Sequence, residues 1–262
     1  MIAFPNIDPV IVEIGPLSIR WYGAMYSLAF ILGWPLLKSR AKKLSANLSE
    51  TFLGDLLVLV LIGVVLGGRL GYILFYQFGY YLSNPLAVFR VWEGGMSFHG
   101  GLLGVIIACC LFARRRQITC SLLVDLLVPI VPIGLLLGRI GNFINAELWG
   151  RTTDVPWGMV FPGAGYLPRH PSQIYEALLE GVLLFIVLWW LGRKAQPAGF
   201  LLGVFILGYG CSRFFVEYYR EPDAHMGFLS LGMTMGQWLS LPMIVTGLII
   251  LWYSKHAPSE NR

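Results

Sequence analysis

Long uncharged apolar blocks recur along this sequence and leave few folds open to it. Residues 21–37 and 226–254 contain no charged side chain, and of all 262 residues 56% are hydrophobic while only 13% are charged. An α-helix needs about 20 largely apolar residues to cross the hydrocarbon core of a bilayer. The chain is therefore predicted to be an all-α integral membrane protein, because too little polar sequence remains for a separate soluble domain.

The apolar blocks divide into about seven predicted transmembrane helices. Residues 140–172, between the fourth and fifth spans, are rich in proline and glycine, and we expect them to form a small irregular cap on the outer face. The whole chain, residues 1–262, then forms a single multi-pass membrane domain. The predicted spans are 17–37, 52–77, 96–113, 122–139, 173–192, 199–218 and 236–254.

Basic residues distinguish the two sides of the predicted bundle. Every lysine follows an odd-numbered span, so the positive-inside rule places the C-terminus in the cytoplasm and the N-terminus outside. The net charge of +5 is mostly this topological signal and does not indicate a nucleic-acid-binding surface. The basic residues on the outer side are all arginines, whose planar fork of donors suits phosphate or carboxylate groups. They are Arg20, Arg69, Arg90, Arg139, Arg151, Arg169, Arg213 and Arg220.

The sixth predicted span carries three polar residues, Tyr209, Arg213 and Glu217, at four-residue spacing. Residues four apart lie on the same face of a helix, and Arg213 and Glu217 can form an ion pair at that spacing. Ionisable groups within a span are costly and are functional-site candidates by default. A structural ion pair between helices explains Arg213 and Glu217 equally well, although it explains Tyr209 less well.

The third predicted span begins with a glycine-rich stretch, residues 94–101, that contains His99. Histidine is the side chain best suited to transfer a proton near neutral pH, and glycines allow a ligand or another backbone to come close. A histidine that only makes a hydrogen-bonded helix contact is the structural alternative. Both interpretations stay open from the sequence alone.

The densest polar cluster follows the fourth predicted span, where Arg139, Asn142, Asn145 and Glu147 lie within nine residues. Arg139 can bind an anion, and the two asparagines can bond ester or hydroxyl oxygens. A capped helix end with satisfied loop amides is the structural alternative.

A further polar cluster opens the fifth predicted span, at residues 169–176. There Ser172 is predicted to be the helix N-cap and Glu176 a residue of the first turn, so a structural role accounts for much of this cluster.

The topology inferred from loop charges brings the candidate residues to a similar depth. His99, Arg139 and Arg213 come from three different spans, yet all lie within about two helical turns of the outer surface. Tyr22 falls at the same depth, and Arg69 lies somewhat deeper. We therefore predict one site that faces the outer leaflet.

The motifs resemble those of the prolipoprotein diacylglyceryl transferases. Residues 138–150 match the family signature Gly-Arg-x-Gly-Asn-Phe-x-Asn-x-Glu-x-x-Gly at every defined position. Other motifs of the family follow in the same order over nearly the whole chain: Trp21-Tyr22-Gly23, Gly67-Gly68-Arg69, Ser97-Phe98-His99-Gly100-Gly101, Arg169-His170-Pro171-Ser172-Gln173 and Gly208-Tyr209-Gly210 with Arg213 and Glu217.

The resemblance implies a reaction at the bacterial cytoplasmic membrane. Such enzymes move the diacylglyceryl group of phosphatidylglycerol to the lipobox cysteine thiol of a preprolipoprotein, which forms a thioether and releases glycerol phosphate. Membrane lipids and the preprolipoprotein signal peptide are the implied partners, nucleic acid is not, and no metal or cofactor is implied.

The resemblance also implies roles for the candidate residues. His99 would take the thiol proton, Arg139 and Arg213 would hold the phosphate, and Tyr209 would donate to a phosphate or ester oxygen. The remaining polar residues would orient these groups or bind the lipid: Tyr22, Arg69, Asn142, Asn145, Glu147 and Glu217.

Two other functions are weighed against this one. A secondary transporter of an anionic solute would explain the buried arginines, but its usual repeated halves and broken helices are not evident. An intramembrane protease would need paired aspartates, a serine–histidine pair or a zinc motif, and the sequence has none of these.

Overall fold

The chain is mostly helical in the computed structural model, which describes residues 2–5, 7–15, 17–44, 48–91, 94–222 and 227–256. A π-helical segment, Ala177–Leu183, joins α7 to α8, and short 3-10 turns occupy Pro85–Phe89 and Ser230–Gly232. The helices are α1 (Trp21–Lys43), α2 (Glu50–Tyr76), α3 (Phe78–Ser83), α4 (Phe98–Arg116), α5 (Cys120–Leu127), α6 (Val131–Ile144), α7 (Ser172–Glu176), α8 (Leu184–Leu191), α9 (Phe200–Val216) and α10 (Met235–His256).

Short strands qualify the all-α prediction. Strands β2 (Val10–Ile14) and β3 (Leu17–Arg20) form an antiparallel hairpin, and β1 (Ile2–Ala3) pairs in parallel with β4 (Met159–Val160). The run of β-branched residues in β2 favours a strand. The predicted first span at residues 17–37 was therefore wrong at its start, because its first four residues belong to β3 and the helix begins at Trp21.

Several helices have the length and hydropathy of membrane spans. Among the described residues four stretches qualify: Glu50–Tyr76, Phe98–Arg116, Ser172–Leu191 and Met235–His256. Helices α5 and α6, bent by 47° at the break between them, count as a fifth span if they cross together. Helix α9 is apolar but shorter, and α1 does not meet the same criteria. The chain is therefore a helical membrane protein, and the count of seven spans stays a prediction.

The predicted fourth span, residues 122–139, is not one straight helix. It breaks between α5 and α6, where Pro132 stands in the first turn of α6 and has no N–H to donate to the preceding turn. Helix α6 then continues to Ile144, beyond the predicted end. As a result Arg139 and Asn142 are helical residues and do not lie in a loop.

The chain divides into two compact units, one comprising Met1–Leu36 and Val124–Arg262 and the other Leu37–Leu123. In the first unit α6 contacts the π-helical segment, and α9 packs along α10. A methyl group added to Gly181 would lie 2.7 Å from the Leu136 Cβ atom, and one added to Gly247 would lie 2.7 Å from the Leu207 nitrogen. Only glycine permits these close approaches, of the π-helical segment to α6 and of α10 to α9.

Helices α2 and α4 of the second unit pack through glycines. A methyl group on Gly63 would lie 2.8 Å from the Gly104 carbonyl oxygen, and one on Gly71 would lie 2.7 Å from the Gly100 Cα atom. Gly67 also faces Gly100 and Gly104. Small residues at four-residue spacing let the backbones of membrane helices approach closely. The glycine-rich start of α4 is therefore used for helix packing.

Candidate active site

A cluster of three arginines and three glutamates lies in the first unit. Helix α6 contributes Arg139, α7 and the π-helical segment contribute glutamates, and the end of α9 with the following turn contributes the rest. Arg139 Nε lies 3.1 Å from Glu176 Oε2, and its Nη2 lies 3.2 Å from Glu180 Oε2. The other ion pairs are Arg213–Glu176, Arg213–Glu217, Arg220–Glu176 at 3.2 Å and Arg220–Glu217 at 3.8 Å.

The glutamates of this cluster are less exposed to solvent than two of its arginines. The side chains of Glu176 and Glu180 are 0% exposed and that of Glu217 is 4% exposed, whereas those of Arg139 and Arg213 are 18% and 17% exposed. The carboxylates therefore lie behind the two arginines and neutralise them from within the protein. A surface that presents guanidinium groups while the balancing carboxylates are buried suits an anionic ligand.

Both arginines keep donors that face no acceptor. The Nη1 atom of Arg139 and the Nε atom of Arg213 make no hydrogen bond with any residue that the structure describes. The remaining nitrogens of each group lie within ion-pair distance of the glutamates. Each guanidinium is thus paired with carboxylates on one side and has a free donor on another, an arrangement compatible with binding an anion.

Tyr209 and Glu217 lie at the edges of this cluster. The Tyr209 side chain is partly buried within electrostatic range of Glu180, Arg139 and Arg213, and its hydroxyl makes no hydrogen bond with a described residue. The Glu217 carboxylate accepts a hydrogen bond from the hydroxyl of Thr234, just before α10. The predicted Arg213–Glu217 ion pair is confirmed, and the stripe on α9 borders a larger network than the sequence indicated.

The loop after α6 carries the second half of the sequence motif. The Glu147 Oε1 atom accepts hydrogen bonds from Asn142 Nδ2 at 2.7 Å and from Asn145 Nδ2 at 3.3 Å. Ala146 and Leu148 on either side have φ values of 52° and 61°, a left-handed conformation that is unusual for such residues. This strained backbone turns the Glu147 carboxylate back toward α6, so the two amides serve to hold the carboxylate.

Side chains from α7 support this strained loop. Gln173 Nε2 donates to the Glu147 carbonyl at 2.6 Å, and Ser172 Oγ donates to the Leu148 carbonyl at 3.0 Å. The prediction that Ser172 is an N-cap was therefore wrong, because Pro171 occupies that position and the serine hydroxyl acts as a donor. The hydrogen bonds from Gln173 and Ser172 tie the loop after α6 (the motif loop) directly to the helix that carries Glu176.

Gly150 ends the motif where three chain segments meet. A methyl group there would lie 2.6 Å from the His170 carbonyl oxygen, so a larger residue cannot be accommodated. The neighbouring Arg151 donates from Nε to the Arg220 carbonyl at 2.9 Å and from Nη2 to the Glu217 carbonyl at 3.1 Å. Burial lowers the pKa of His170, which favours the neutral ring at neutral pH. The two hydrogen bonds from Arg151 fix the turn that follows α9 against the motif loop.

Tyr22 lies near this site. Its ring packs over Gly141 of α6, where a methyl group would lie 2.9 Å from the ring. Its hydroxyl is 3.3 Å from that of Tyr26 and lies within electrostatic range of Glu147 and Arg139. The first unit therefore brings together most of the predicted site residues: Tyr22, Arg139, Asn142, Asn145, Glu147, Tyr209, Arg213 and Glu217.

The predicted role of Arg69 is not supported by its contacts in the second unit. Its five N–H groups donate to five main-chain carbonyls, those of Ala87, Val88, Arg90, Gly94 and Gly95, and its side chain is buried. A guanidinium with every donor occupied has none left for a lipid phosphate. Arg69 instead organises the segment that follows α3.

His99 is the second residue of α4 and is exposed, also in the second unit. Its imidazole makes no hydrogen bond with any residue in the described part of the chain. The side chain is thus free to exchange a proton, and its membership of one shared site with the arginines stays a prediction.

Sequence reasoning missed the buried half of the cluster. Glu176 was assigned to a helix first turn, Arg220 was only one of the outer arginines, and Glu180 received no role. A signal was present, because Glu176 and Glu180 are the only charged residues in the predicted fifth span, and two acids four residues apart in a span are costly unless they are paired.

The fold and the site together define a class of protein. The chain is a helical membrane protein with a charge-balanced cluster whose Arg139 and Arg213 are more exposed than its glutamates. Comparison with known proteins then identifies the family. The sequence profile of the prolipoprotein diacylglyceryl transferases matches residues 9–253, and the chain belongs to this family.

Curated relatives are similar over nearly their full length. A protein from Idiomarina loihiensis is 56% identical over 255 residues, which cover 96% of this chain and 95% of that protein. A protein from Bordetella avium is 54% identical, with 95% of this chain and 96% of that protein covered. A protein from Coxiella burnetii is 52% identical, with 97% and 98% covered. Each is named phosphatidylglycerol–prolipoprotein diacylglyceryl transferase. The resemblance inferred from the motifs is confirmed, and the transporter alternative receives no support.

Proposed function

We propose that this chain transfers the diacylglyceryl group of phosphatidylglycerol to the cysteine thiol in the lipobox of a preprolipoprotein. The observation that carries this proposal is the pair of partly exposed arginines, Arg139 and Arg213, backed by buried carboxylates. Phosphatidylglycerol has a single phosphate charge at its headgroup, which such a pair of guanidinium groups fits.

The proposed chemistry is a displacement at the glycerol carbon that bears the phosphate. The thiolate sulfur forms a bond to this carbon, and the carbon–oxygen bond breaks so that glycerol phosphate leaves with the bonding electrons. Arg139 and Arg213 stabilise the negative charge that develops on the leaving phosphate. The free Tyr209 hydroxyl donates to a phosphate or ester oxygen, and Glu217 orients Arg213.

The thiol proton needs an acceptor, for which we propose His99. Its exposed imidazole makes no hydrogen bond with a described residue, and histidine is the side chain best suited to accept a proton near neutral pH. Asn142 and Asn145 hold Glu147 at the lipid-binding side, next to Tyr22. Arg69 is left out of the lipid site because its donors are occupied.

The proposed setting is the bacterial cytoplasmic membrane, with the site toward the outer leaflet. Seven spans result if α1 and α9 cross the membrane together with the four long helices and the bent α5–α6 pair. The chain is then a single multi-pass domain with the N-terminus outside, the C-terminus in the cytoplasm and residues 140–172 as an outer cap. Lysine segregation and the apolar character of the helices support this arrangement.

A direct transfer assay tests the proposed function. The purified protein is incubated in detergent micelles with phosphatidylglycerol and a synthetic lipobox peptide, and the peptide is analysed by mass spectrometry. We expect a diacylglyceryl adduct on the cysteine and one glycerol phosphate released for each adduct. Phosphatidylcholine in place of phosphatidylglycerol, and a peptide with serine in place of cysteine, are the controls. A protein that retains its fold but forms no adduct would refute the proposal.

A further inference from the structure

Three guanidinium groups converge on one carboxylate, that of Glu176. Its Oε1 atom pairs with Arg213 Nη1 and lies 3.2 Å from Arg220 Nη1, and its Oε2 atom lies 3.1 Å from Arg139 Nε. The Glu176 side chain is 0% exposed. A carboxylate with no solvent access therefore sets the position of arginines that come from α6, from α9 and from the turn after α9.

Buried, hydrogen-bonded residues of α7 surround Glu176. Glu176 ends α7, and the next residue begins the π-helical segment, a rare arrangement that is often found at functional sites. Two preceding residues of α7, Ser172 and Gln173, are fully buried and hold the motif loop by its carbonyl groups. A shift of Glu176 would thus move both the arginines and the loop that carries Glu147.

The free donors of Arg139 and Arg213 depend on this arrangement. Glu176 lies within ion-pair distance of Nε of Arg139 and of Nη1 of Arg213, while Arg139 Nη1 and Arg213 Nε make no hydrogen bond with a described residue. Without Glu176, each guanidinium could rotate, and three like charges would repel one another at short range.

We propose that Glu176 is a positioning residue for the transfer reaction, one that fixes Arg139 and Arg213 so that their free N–H groups face the lipid phosphate. Arg220 completes the set of ion pairs around Glu176 and does not contact the lipid. This inference rests on the proposed function and adds to it the residue that organises the phosphate site before substrate binds. Preorganised donors stabilise developing charge without reorganisation during the reaction.

A simpler role for Glu176 would be charge balance alone. Removal of the carboxylate by Glu176→Gln leaves one guanidinium uncompensated, and a second change, Arg220→Gln, removes that excess charge. If Glu176 only balances charge, the charge-balanced double variant binds phosphatidylglycerol like the wild type. If Glu176 positions the arginines, its loss still impairs lipid binding in that background.

The experiment measures KM for phosphatidylglycerol, KM for the lipobox peptide and the thermal midpoint of the wild type and of the variants E176Q, R220Q and E176Q/R220Q. We expect E176Q to raise KM for phosphatidylglycerol about tenfold to a hundredfold in both backgrounds, as for loss of hydrogen bonds to a charged group. KM for the peptide should change less than about twofold, because the proposal assigns Arg139 and Arg213 to the lipid phosphate and not to the peptide. The matched control is Glu221→Gln, which removes a 47% exposed carboxylate paired with Arg169.

The outcomes separate the two roles. An unchanged KM for phosphatidylglycerol in E176Q, or a wild-type KM for phosphatidylglycerol in E176Q/R220Q, would overturn the proposal. So would an equal rise in the two KM values, which would indicate a general loss of structure. If E176Q cannot be purified, the comparison of the wild type with the charge-balanced double variant decides alone. The proposed function is tested separately by the wild type, since it fails only if the wild type forms no adduct.

Discussion

Arg139 and Arg213 owe their character to the groups behind them. Burial of a charge is costly unless it is paired, and here the pairing carboxylates are more deeply buried than the arginines themselves. The free-energy cost of partly burying the guanidinium groups is therefore small, and the carboxylates already orient them. A lysine ammonium in the same place would be a point charge without the planar fork that fits both a carboxylate and a phosphate.

Lysine substitution tests whether the planar guanidinium group, and not only its charge, is required. We expect Arg139→Lys and Arg213→Lys each to lower kcat/KM for phosphatidylglycerol about tenfold to a hundredfold, because charge is kept while a hydrogen bond to a charged group is lost. The measurement is the initial rate of peptide modification at varied lipid concentration. Arg193→Lys, at an exposed arginine outside the cluster, is the control and should match the wild type. Near-normal turnover in both variants would make these arginines structural.

His99 offers a test by pH. Replacement of a general base typically lowers the rate about 10²–10⁴-fold, and a free cysteine thiol has a pKa near 8.5. We expect His99→Gln to turn over slowly at neutral pH, to recover partly as the pH rises toward the thiol pKa, and to bind phosphatidylglycerol normally. The pH–rate profile and the lipid affinity are measured together. A loss confined to lipid affinity, or an unchanged rate, would assign the base elsewhere.

At the residue scale, the partly exposed residues of the cluster were easier to select from the sequence than the buried glutamates that pair with them. Arg139, Arg213 and Tyr209 could be selected because polar groups at helical spacing are conspicuous in an apolar span. The convergence of Arg139, Arg213 and Arg220 on Glu176 could not be read from the sequence, because it depends on how α6, α7 and α9 pack. Arg69 shows the opposite case, since only its contacts reveal that five carbonyls use all its donors.

At the scale of elements, long helices were easier to predict than their irregularities. Apolar length located α2, α4 and α10 to within a few residues. The break between α5 and α6 and the π-helical segment arise from local geometry and tertiary contact, which hydropathy does not record. These two irregularities place Arg139 beside Glu180, so the features that the sequence hid are those that build the site.

The glycine contact between α2 and α4 carries a prediction for stability. Gly104→Ala adds a methyl group against the main chain of Gly63, so the helices must separate. We expect a loss of about 1–3 kcal/mol, seen as a lower thermal midpoint in detergent. The matched control is Gly54→Ala on α2, where an added methyl group meets nothing within 4 Å. An equal midpoint for Gly104→Ala and the wild type would show that the helices are not packed at this distance.

At the scale of the whole molecule, charge asymmetry predicts the orientation in the membrane. Every lysine lies at one end of the predicted spans, which the positive-inside rule assigns to the cytoplasm. A reporter fused after Lys255 should therefore behave as cytoplasmic, and one inserted near Gly163 as external. The measurement is alkaline phosphatase activity against green fluorescence for each fusion. The reverse pattern would place the site on the inner leaflet and remove the basis for a single outer site.

The central claim is that the lipid phosphate binds at the arginine–glutamate cluster, and photo-crosslinking tests it most directly. A phosphatidylglycerol analogue with a photoreactive diazirine on its headgroup is irradiated with the protein, and the labelled peptides are mapped by mass spectrometry. We expect labelling within residues 131–150 and 200–222, suppressed by excess phosphatidylglycerol and reduced at least about tenfold in the Arg139→Lys/Arg213→Lys double variant. Labelling confined to residues 37–123, or labelling of the first unit that the double variant leaves unchanged, would contradict the claim.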